Sequence, residues 1–231
     1  MPGFVIDRRY RGPEESGNGG YTCGMVAGFV EGTAEVTLRK PPPLDRYLDV
    51  RTVAGGIDVY DGKTLIAEGR SVTWEPLEVP EPPTLAEAAA AKERYTGYHR
   101  HAFPTCFVCG TERDDGLQIH AGPVEGREVW ATPFRPDPSL PGAPGRLETE
   151  IVWSALDCPG AWAVERALQD RPVVLGRMAA SIERRVLSTG EYVAIGWPLG
   201  AEGRKLFSGT ALFDGDGTLY GSARQIWIVL G

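Results

Sequence analysis

Two halves of the chain carry a similar pattern, and this internal repeat constrains the fold more than any other feature of the sequence. Residues 24–27 (GMVA) match residues 160–163 (GAWA), and residues 64–72 (TLIAEGRSV) match residues 218–226 (TLYGSARQI). The offset between the copies grows from 136 residues (24 to 160) to 154 residues (64 to 218), as insertions in the second copy would produce. The repeat predicts two similar units of one helix and several strands, with a site at their interface.

The pattern of apolar residues predicts a few short helices and many strands. Helical spacing, with glycine or proline at the ends, predicts helices over 21–32, 85–95 and 159–170. Alternating and β-branched runs predict strands over 3–10, 34–40, 47–54, 64–74, 117–120, 128–133, 173–186, 191–197, 205–213 and 218–230. Asp-Gly turns between strands that follow a single helix favour an antiparallel sheet folded around that helix. The predicted class is α+β, with the same arrangement of one helix and several strands in each half of the chain.

A proline-rich segment separates the two halves. Residues 76–83 (PLEVPEPP) are expected to form a stiff, extended linker. Thr84 and Glu87 then have the spacing of a capping box at the start of an alanine-rich helix. The predicted boundaries define three parts: an N-terminal unit over 1–78, a linker with a helix and a Cys-x-x-Cys loop over 79–115, and a C-terminal unit over 116–231.

Composition excludes several classes of partner. The 231 residues carry a net charge of -7 and contain no run of basic residues, which argues against a nucleic-acid partner. No apolar stretch is long enough to span a membrane, and the N-terminus lacks the features of a signal peptide, so no membrane partner is expected. Four cysteines, two of them in one Cys-x-x-Cys, are typical of a reduced compartment. We expect a cytoplasmic protein.

Three short motifs resemble the hotdog-fold acyl-CoA thioesterase-like superfamily, in its double-hotdog form. They are residues 18–21 (NGGY), residues 155–160 (ALDCPG) and residues 101–110 (HAFPTCFVCG), the last similar to uncharacterised actinobacterial proteins of this type. The resemblance implies two units, each with an antiparallel sheet wrapped round a central helix, that form a pseudo-dimer and share one continuous sheet. It also implies that an acyl thioester enters at the interface, with its carbonyl near a helix N-terminus.

The first motif is a glycine-rich turn that leads into a predicted helix. Such a turn offers unpaired N–H groups at the positive end of the helix dipole, and these can stabilise a developing oxyanion. Gly20 and Tyr21 are therefore candidate catalytic positions through their backbone N–H groups. Gly19 and Asn18 are candidate substrate-binding positions, because Asn18 could orient a carbonyl or a water. A purely structural turn would explain the same residues.

The second motif supplies a carboxylate. Asp157 precedes Pro159 and is predicted to lie at the helix start, where it could cap the helix or act as general base or nucleophile. The repeat aligns Asp157 with Tyr21, so the two copies would differ at the equivalent position. Cys158 and Gly160 are candidate substrate-binding positions beside it. Cys158 could also be a nucleophile, since a helix N-terminus lowers a thiol pKa, although packing in the core explains it more simply.

The third motif contains a candidate metal site. Cys106 and Cys109 have the spacing of half a zinc knuckle, and His99 and His101 are close enough in sequence to complete four ligands. No second Cys-x-x-Cys accompanies them, so a reduced thiol pair or simple packing is the favoured interpretation. We therefore expect no cofactor, with structural zinc at these four residues as the alternative.

These observations predict a protein that hydrolyses an acyl thioester, with acyl-CoA as the first expectation. Two alternatives stay open at the level of sequence. The same fold family includes dehydratases and hydratases, although the His-Asp pair that they need is not identifiable. A non-catalytic protein that binds an acyl group or another hydrophobic ligand is the other alternative. The acyl chain, the choice between a coenzyme A and a carrier-protein thioester, and assembly of the pseudo-dimer into a homo-oligomer all stay open.

Overall fold

Strands from both halves of the chain combine into one antiparallel sheet. The computed structural model describes residues 2–142, 145–167 and 171–231. The helices are α1 (Gly19–Ala27), α2 (Leu85–Lys92) and α3 (Thr149–Ala163), with short 3-10 helices at Arg8–Tyr10, Thr96–Tyr98 and Glu165–Ala167. The strands are β1 (Gly3–Val5), β2 (Ala34–Leu38), β3 (Tyr47–Val53), β4 (Gly56–Asp61), β5 (Thr64–Ser71), β6 (Gly122–Pro123), β7 (Trp130–Phe134), β8 (Val173–Ile182), β9 (Tyr192–Glu202), β10 (Lys205–Asp214) and β11 (Leu219–Val229).

The two halves of the sheet meet at β2 and β8. The strand order is β1-β3-β4-β5-β2-β8-β11-β10-β9-β7-β6, and β2 pairs with β8 from Ala34 opposite Ala180 to Thr37 opposite Arg177. The described residues therefore form one continuous sheet of 11 strands and not two separate sheets. The physical reason is that two separate sheets would each leave an edge strand with unpaired N–H and C=O groups, and pairing β2 with β8 removes both edges.

The repeated strand segments occupy corresponding positions in this sheet. The first copy lies largely in β5, which is next to β2, and the second lies largely in β11, which is next to β8. The ends of α1 and α3, Ala27 and Ala163, are separated by the same 136 residues as the repeat in the sequence. The repeat therefore relates elements with similar places in the fold.

The main core lies between the sheet and the pair α1 and α3, which pack against each other. A glycine at position 20 allows the two helices to approach closely. A Cβ atom there would clash with Cβ of Asp157 and would lie 2.8 Å from the carbonyl oxygen of Trp153. The opposite face of the sheet is covered in part by α2, because Val193 and Ile195 on β9 pack with it while the alternate residues face the main core.

The start of the second helix differs most from the sequence prediction. α3 begins at Thr149, ten residues before the predicted start at Pro159, and its predicted end at 168–170 lies outside the described residues. Proline is favoured in the first turn of a helix, but here it lies in the helix interior. Residues 151–160 are all buried, so tertiary packing outweighs the cost of the missing proline N–H.

Other boundaries follow the prediction more closely. The capping box is confirmed, since Thr84 Oγ1 accepts from Glu87 N–H and the Glu87 carboxylate accepts from Thr84 N–H. Strand β4 was not predicted, and the predicted strand over 117–120 is irregular. The predicted strand over 3–10 is shorter, because Asp7 caps a 3-10 helix by accepting from Arg9 N–H. No helix in the described ranges is long and apolar enough to cross a membrane.

Candidate active site

A cavity of about 770 Å³ opens between the start of α1, the Cys-x-x-Cys loop and the second half of α3. Its lining includes Gly19, Asp157, Leu175, Trp162 and the three cysteines of the loop and of α3. Most of these side chains are apolar, so the few polar groups in the cavity determine what it can bind and which chemistry it can support.

Asp157 is the buried acid of this cavity, and it is 2% exposed. Its Oδ2 atom accepts hydrogen bonds from the backbone N–H of Gly20 at 3.0 Å and from Nδ2 of Asn18 at 2.9 Å. Its Oδ1 atom has no hydrogen-bond partner among the described residues. Burial raises the pKa of Asp157 to about 7, although the hydrogen bonds from Gly20 and Asn18 act in the opposite direction.

The position of Asp157 corrects the prediction that it lies at the start of its own helix, where it could have been the cap. It is the ninth residue of α3, so it lies more than two turns from the start of that helix. Through Gly20 it instead satisfies one of the first N–H groups of α1, which have no partner inside the helix. A carboxylate is favourable at that end of a helix dipole. The two elements that the sequence predicted as candidates are therefore in direct contact.

Asn18 connects the start of α1 to Asp157. Its Oδ1 atom accepts from the N–H of Tyr21 at 2.9 Å, and this makes Asn18 the N-cap of α1. The N–H groups of Gly20 and Tyr21 are thus both paired, whereas the sequence suggested unpaired donors. The N–H of Gly19 forms no hydrogen bond within the described part of the chain, and Gly19 lines the cavity. Gly19 is the residue of this turn whose donor is free for a ligand.

The side chain or backbone of each remaining candidate, Tyr21, Gly160 and Cys158, packs against neighbouring residues of the core. The ring of Tyr21 stacks on Tyr10 with centroids 4.0 Å apart, and it is buried. Gly160 faces the sheet, where a Cβ atom would clash with the side chain of Gln225. Cys158 lines the cavity, but its hydrogen bonds with the other two thiols and its burial raise its pKa well above the usual range. That shift opposes a role for Cys158 as a nucleophile in the arrangement described.

Gln225 on β11 forms hydrogen bonds with the backbone of α3, and this role was not predicted from the sequence. Its Nε2 atom donates to the carbonyl oxygens of Leu156 at 2.8 Å and Asp157 at 3.0 Å. Its Oε1 atom accepts from Ser208 Oγ at 2.8 Å and from Trp227 Nε1 at 3.1 Å. This buried network fixes the segment of α3 that carries Asp157. The only signal in the sequence is one polar residue at an inward position of an apolar strand.

Three cysteines converge beside Asp157. The Sγ atoms of Cys106, Cys109 and Cys158 all lie within 4.8 Å of one another, and all three side chains are buried. The predicted zinc ligands His99 and His101 do not belong to this group.

The contacts of the His101 ring explain why this histidine does not belong to the cysteine group. Its Nδ1 accepts from Phe103 N–H at 3.0 Å, so its Nε2 carries the proton and donates to the carbonyl of Cys109 at 3.0 Å. Both ring nitrogens of His101 are therefore occupied, and His99 is exposed. The two histidines of the alternative zinc site thus lie outside the cysteine group, and the side chain that joins Cys106 and Cys109 is Cys158.

Comparison with known proteins identifies the fold. No protein-family model matches the sequence, and no curated protein is similar to it in sequence. Among solved structures, a conserved protein of unknown function with a hot dog fold from Alicyclobacillus acidocaldarius aligns with a TM-score of 0.65 at 12% identity, covering 99% of this chain and 92% of the other. The chain has the hotdog fold.

Two further solved structures are similar in fold, and the name of the second states an activity of that protein. The tesB protein of Mycobacterium avium subspecies paratuberculosis aligns with a TM-score of 0.60 at 12% identity, covering 95% of this chain and 89% of the other. The acyl-CoA thioesterase II TesB2 of Mycobacterium marinum aligns with a TM-score of 0.53 at 12% identity, covering 91% and 90%. At 12% identity these similarities show the fold of this chain and no more.

Proposed function

We propose that the protein hydrolyses an acyl thioester, with acyl-CoA as the substrate class, in the cavity between α1 and α3. One observation carries the proposal. Asp157 lies at the cavity with one carboxylate oxygen held by Gly20 and Asn18 and the other without a partner in the described structure, and Gly19, whose N–H forms no hydrogen bond there, lines the same cavity. The names of the hotdog neighbours support the same class of reaction.

The proposed reaction uses these two groups in different ways. The N–H of Gly19, at the positive end of α1, donates to the thioester carbonyl oxygen and stabilises the negative charge that develops on it. Oδ1 of Asp157 accepts a proton from a water molecule as the water attacks the carbonyl carbon. The carbon–sulfur bond then breaks, the thiolate leaves and takes up this proton, and the products are a free acid and a thiol.

The remaining surface of the cavity suits the rest of such a substrate. Its apolar lining would hold the acyl chain, and Trp162 and Leu175 contribute to it. Basic residues also line the cavity: Arg39, Lys40, Arg100 and Arg171. Of these, Arg39 also forms an ion pair with Glu68. Positive charge at a cavity raises the local concentration of an anionic substrate such as a phosphate-bearing thioester.

The domain organisation forms part of the proposal. Residues 1–78 and 116–231 would be two hotdog units of a pseudo-dimer, joined by a linker over 79–115 that carries α2 and the Cys-x-x-Cys loop. The similar positions of β5 and β11 on either side of the central pair support this interpretation. In such an arrangement the candidate site lies at the interface of the units, because Asp157 and Gly20 come from different halves.

A panel of acyl-CoA thioesters, scored for free thiol with a chromogenic thiol reagent, tests the proposal. We expect the wild-type protein to release thiol and Asp157→Asn to lose about 100-fold or more in kcat/KM, the range of general-base catalysis. Asn keeps an oxygen for the hydrogen bonds from Gly20 and Asn18, so the circular-dichroism spectrum and Tm should show a folded variant. Full activity of Asp157→Asn would exclude Asp157 as the base.

One observation favours a second function, the binding of an acyl ligand without hydrolysis. Oδ2 of Asp157 is already used to cap α1, so the residue has a complete structural role. Equilibrium binding of acyl-CoA without release of thiol, unchanged in Asp157→Asn, would support this second function. Release of thiol by the wild-type protein would exclude it.

A further inference from the structure

We propose that Cys106, Cys109 and Cys158 bind one Zn²⁺ ion through their sulfur atoms, with the fourth coordination position facing the cavity. The proposal does not rest on the proposed hydrolysis, although the cysteines lie beside Asp157, and it differs from the ligand set that the sequence suggested. Two ligands come from the loop and the third comes from α3, so the ion would tie the linker segment to the helix that carries Asp157.

The spacing of the three sulfur atoms fits one ion. They lie within 4.8 Å of one another. Tetrahedral zinc with Zn–S bonds of about 2.3 Å requires sulfur atoms about 3.8 Å apart, so small side-chain rotations bring all three to one centre. Each cysteine also lines the cavity, which provides a route of entry for the ion and room for an external fourth ligand.

The loop has the geometry of a metal-binding turn. The side-chain amide of Asn18 donates through Nδ2 to the sulfur of Cys106 at 3.8 Å. Such a donor favours a thiolate, which is the form that binds a metal. The turn closes through a hydrogen bond of 2.9 Å from Gly110 N–H to Cys106 O, and a Cβ atom at Gly110 would lie 2.5 Å from the carbonyl oxygen of Pro104.

Further polar groups hold this turn from outside. Tyr95 O–H donates to the carbonyl of Cys109 at 2.7 Å, and Nε2 of His101 donates to the same carbonyl at 3.0 Å. Contacts of this kind orient the residues that bind a metal and are part of a built site. Simple packing of a cysteine needs none of them. His101 therefore contributes to the site by positioning Cys109.

The donor atoms determine which ion fits. No imidazole or carboxylate of the described residues joins the three sulfur atoms in the group. Thiolate ligands select soft or borderline cations such as Zn²⁺ and exclude Mg²⁺ and Ca²⁺, which prefer oxygen. Binding of the ion releases the protons of the coordinated thiols, so the affinity for Zn²⁺ should rise with pH.

The test uses the full chain, reduced and stripped of metal with a chelator. Zn²⁺ is titrated in competition with a chromophoric chelator, and Co²⁺ is used as a spectroscopic substitute. We expect one ion per chain and an intense sulfur-to-cobalt charge-transfer band. Cys106→Ser and Cys158→Ser should weaken Zn²⁺ binding at least 10-fold. Cys23→Ser is the matched control, because Cys23 is a buried cysteine outside the group, and it should bind as tightly as the wild type.

Several results would overturn the proposal. They are absence of the charge-transfer band in the reduced wild-type protein, unchanged Zn²⁺ affinity in a folded Cys158→Ser variant, or equal loss in Cys23→Ser. If the serine variants do not fold, the wild-type protein decides the question, since Zn²⁺ but not Mg²⁺ should then raise its Tm. A disulfide between Cys106 and Cys109 that persists in reductant, seen as a mass lower by two hydrogens, would also exclude the site. None of these measurements depends on thioester hydrolysis.

Discussion

The carboxylate of Asp157 on α3 accepts a hydrogen bond of 3.0 Å from the backbone N–H of Gly20 at the start of α1. A side chain from one half of the chain thus caps a helix from the other half. The contact couples the packing of the two central helices to the position of the candidate catalytic group. Changes on either side of it should therefore affect both stability and the site.

Replacement of Asp157 by Ala should destabilise the protein more than replacement by Asn. Asn keeps an acceptor at the position of Oδ2, whereas Ala leaves the Gly20 N–H and the Asn18 amide buried without a partner. A buried donor that loses its partner costs about 1–3 kcal/mol. Urea denaturation of the two variants measures the difference. Equal free energies of unfolding would show that the cap contributes nothing to the stability of α1.

Replacement of Gly20 by Ala should separate α1 from α3. The added methyl group would meet Asp157 and the carbonyl oxygen of Trp153, and neither backbone can move alone. Overpacking of this kind costs about 1–3 kcal/mol. Gly28→Ala is the matched control, because Gly28 lies at the end of the same helix with φ of -60° and its nearest contact would be an ordinary 3.4 Å. A Gly20→Ala variant as stable as Gly28→Ala would contradict the close packing.

Local sequence signals predicted the elements better than their long-range contacts. The repeat offset of 136 residues relates Ala27 to Ala163, which end the two central helices. The beginning of α3 could not be predicted, because Pro159 is a signal for the first turn of a helix while the burial that overrides it comes from α1 and the sheet. The strand β4 was missed although a hairpin turn follows it.

In the candidate site, too, the individual residues could be predicted from local motifs better than the contacts between them. Asn18, Gly20 and Asp157 were predicted as candidates from two separate motifs, and the structure brings them into hydrogen-bond contact. The partner of the Cys-x-x-Cys loop was not predicted correctly. Cys158 is 49 positions away from Cys109 in the chain, and only the packing of the loop against α3 brings it there, whereas the nearby His101 turns its ring to the backbone.

Replacement of Gln225 by Met should affect the candidate site indirectly, through the backbone of α3. Gln225 donates to two carbonyl groups of α3 and accepts from Ser208 and Trp227, and Met keeps most of its volume but none of these bonds. We expect a loss of about 1–3 kcal/mol in the free energy of unfolding, because buried partners are left unpaired. Gln225→Glu, which keeps only the acceptor function, should lose the bonds to α3 and retain those to Ser208 and Trp227.

Thioesterase kinetics of the folded Gln225→Met variant separate positioning from stability. If the network positions Asp157, kcat should fall while KM changes little, since Gln225 is not among the residues that line the cavity. A variant with unchanged kcat would limit Gln225 to a structural role.

The last prediction concerns His120, whose ring stacks on Tyr95 with centroids 4.9 Å apart. Its Nδ1 accepts from Tyr98 O–H at 3.2 Å, and its Nε2 donates to the carbonyl of Gly110 at 3.3 Å, so the folded state holds it neutral. Burial lowers its pKa to about 4, and the charges of Lys92 and His101 add to this effect. Because an unfolded histidine has a pKa of about 6.5, the unfolded chain binds this proton first as the pH falls.

The contribution of His120 to stability is therefore complete above pH of about 6.5 and is lost progressively down to pH of about 4, at about 1.4 kcal/mol per pH unit. Urea denaturation of the wild type and of His120→Gln at a series of pH values measures it. Gln stays neutral throughout, so the wild type should lose stability more steeply than the variant across this window. The other titrating groups, including His101 and Asp157, are common to both proteins and cancel in the difference. Parallel curves would show that His120 has the same pKa in the folded and the unfolded states.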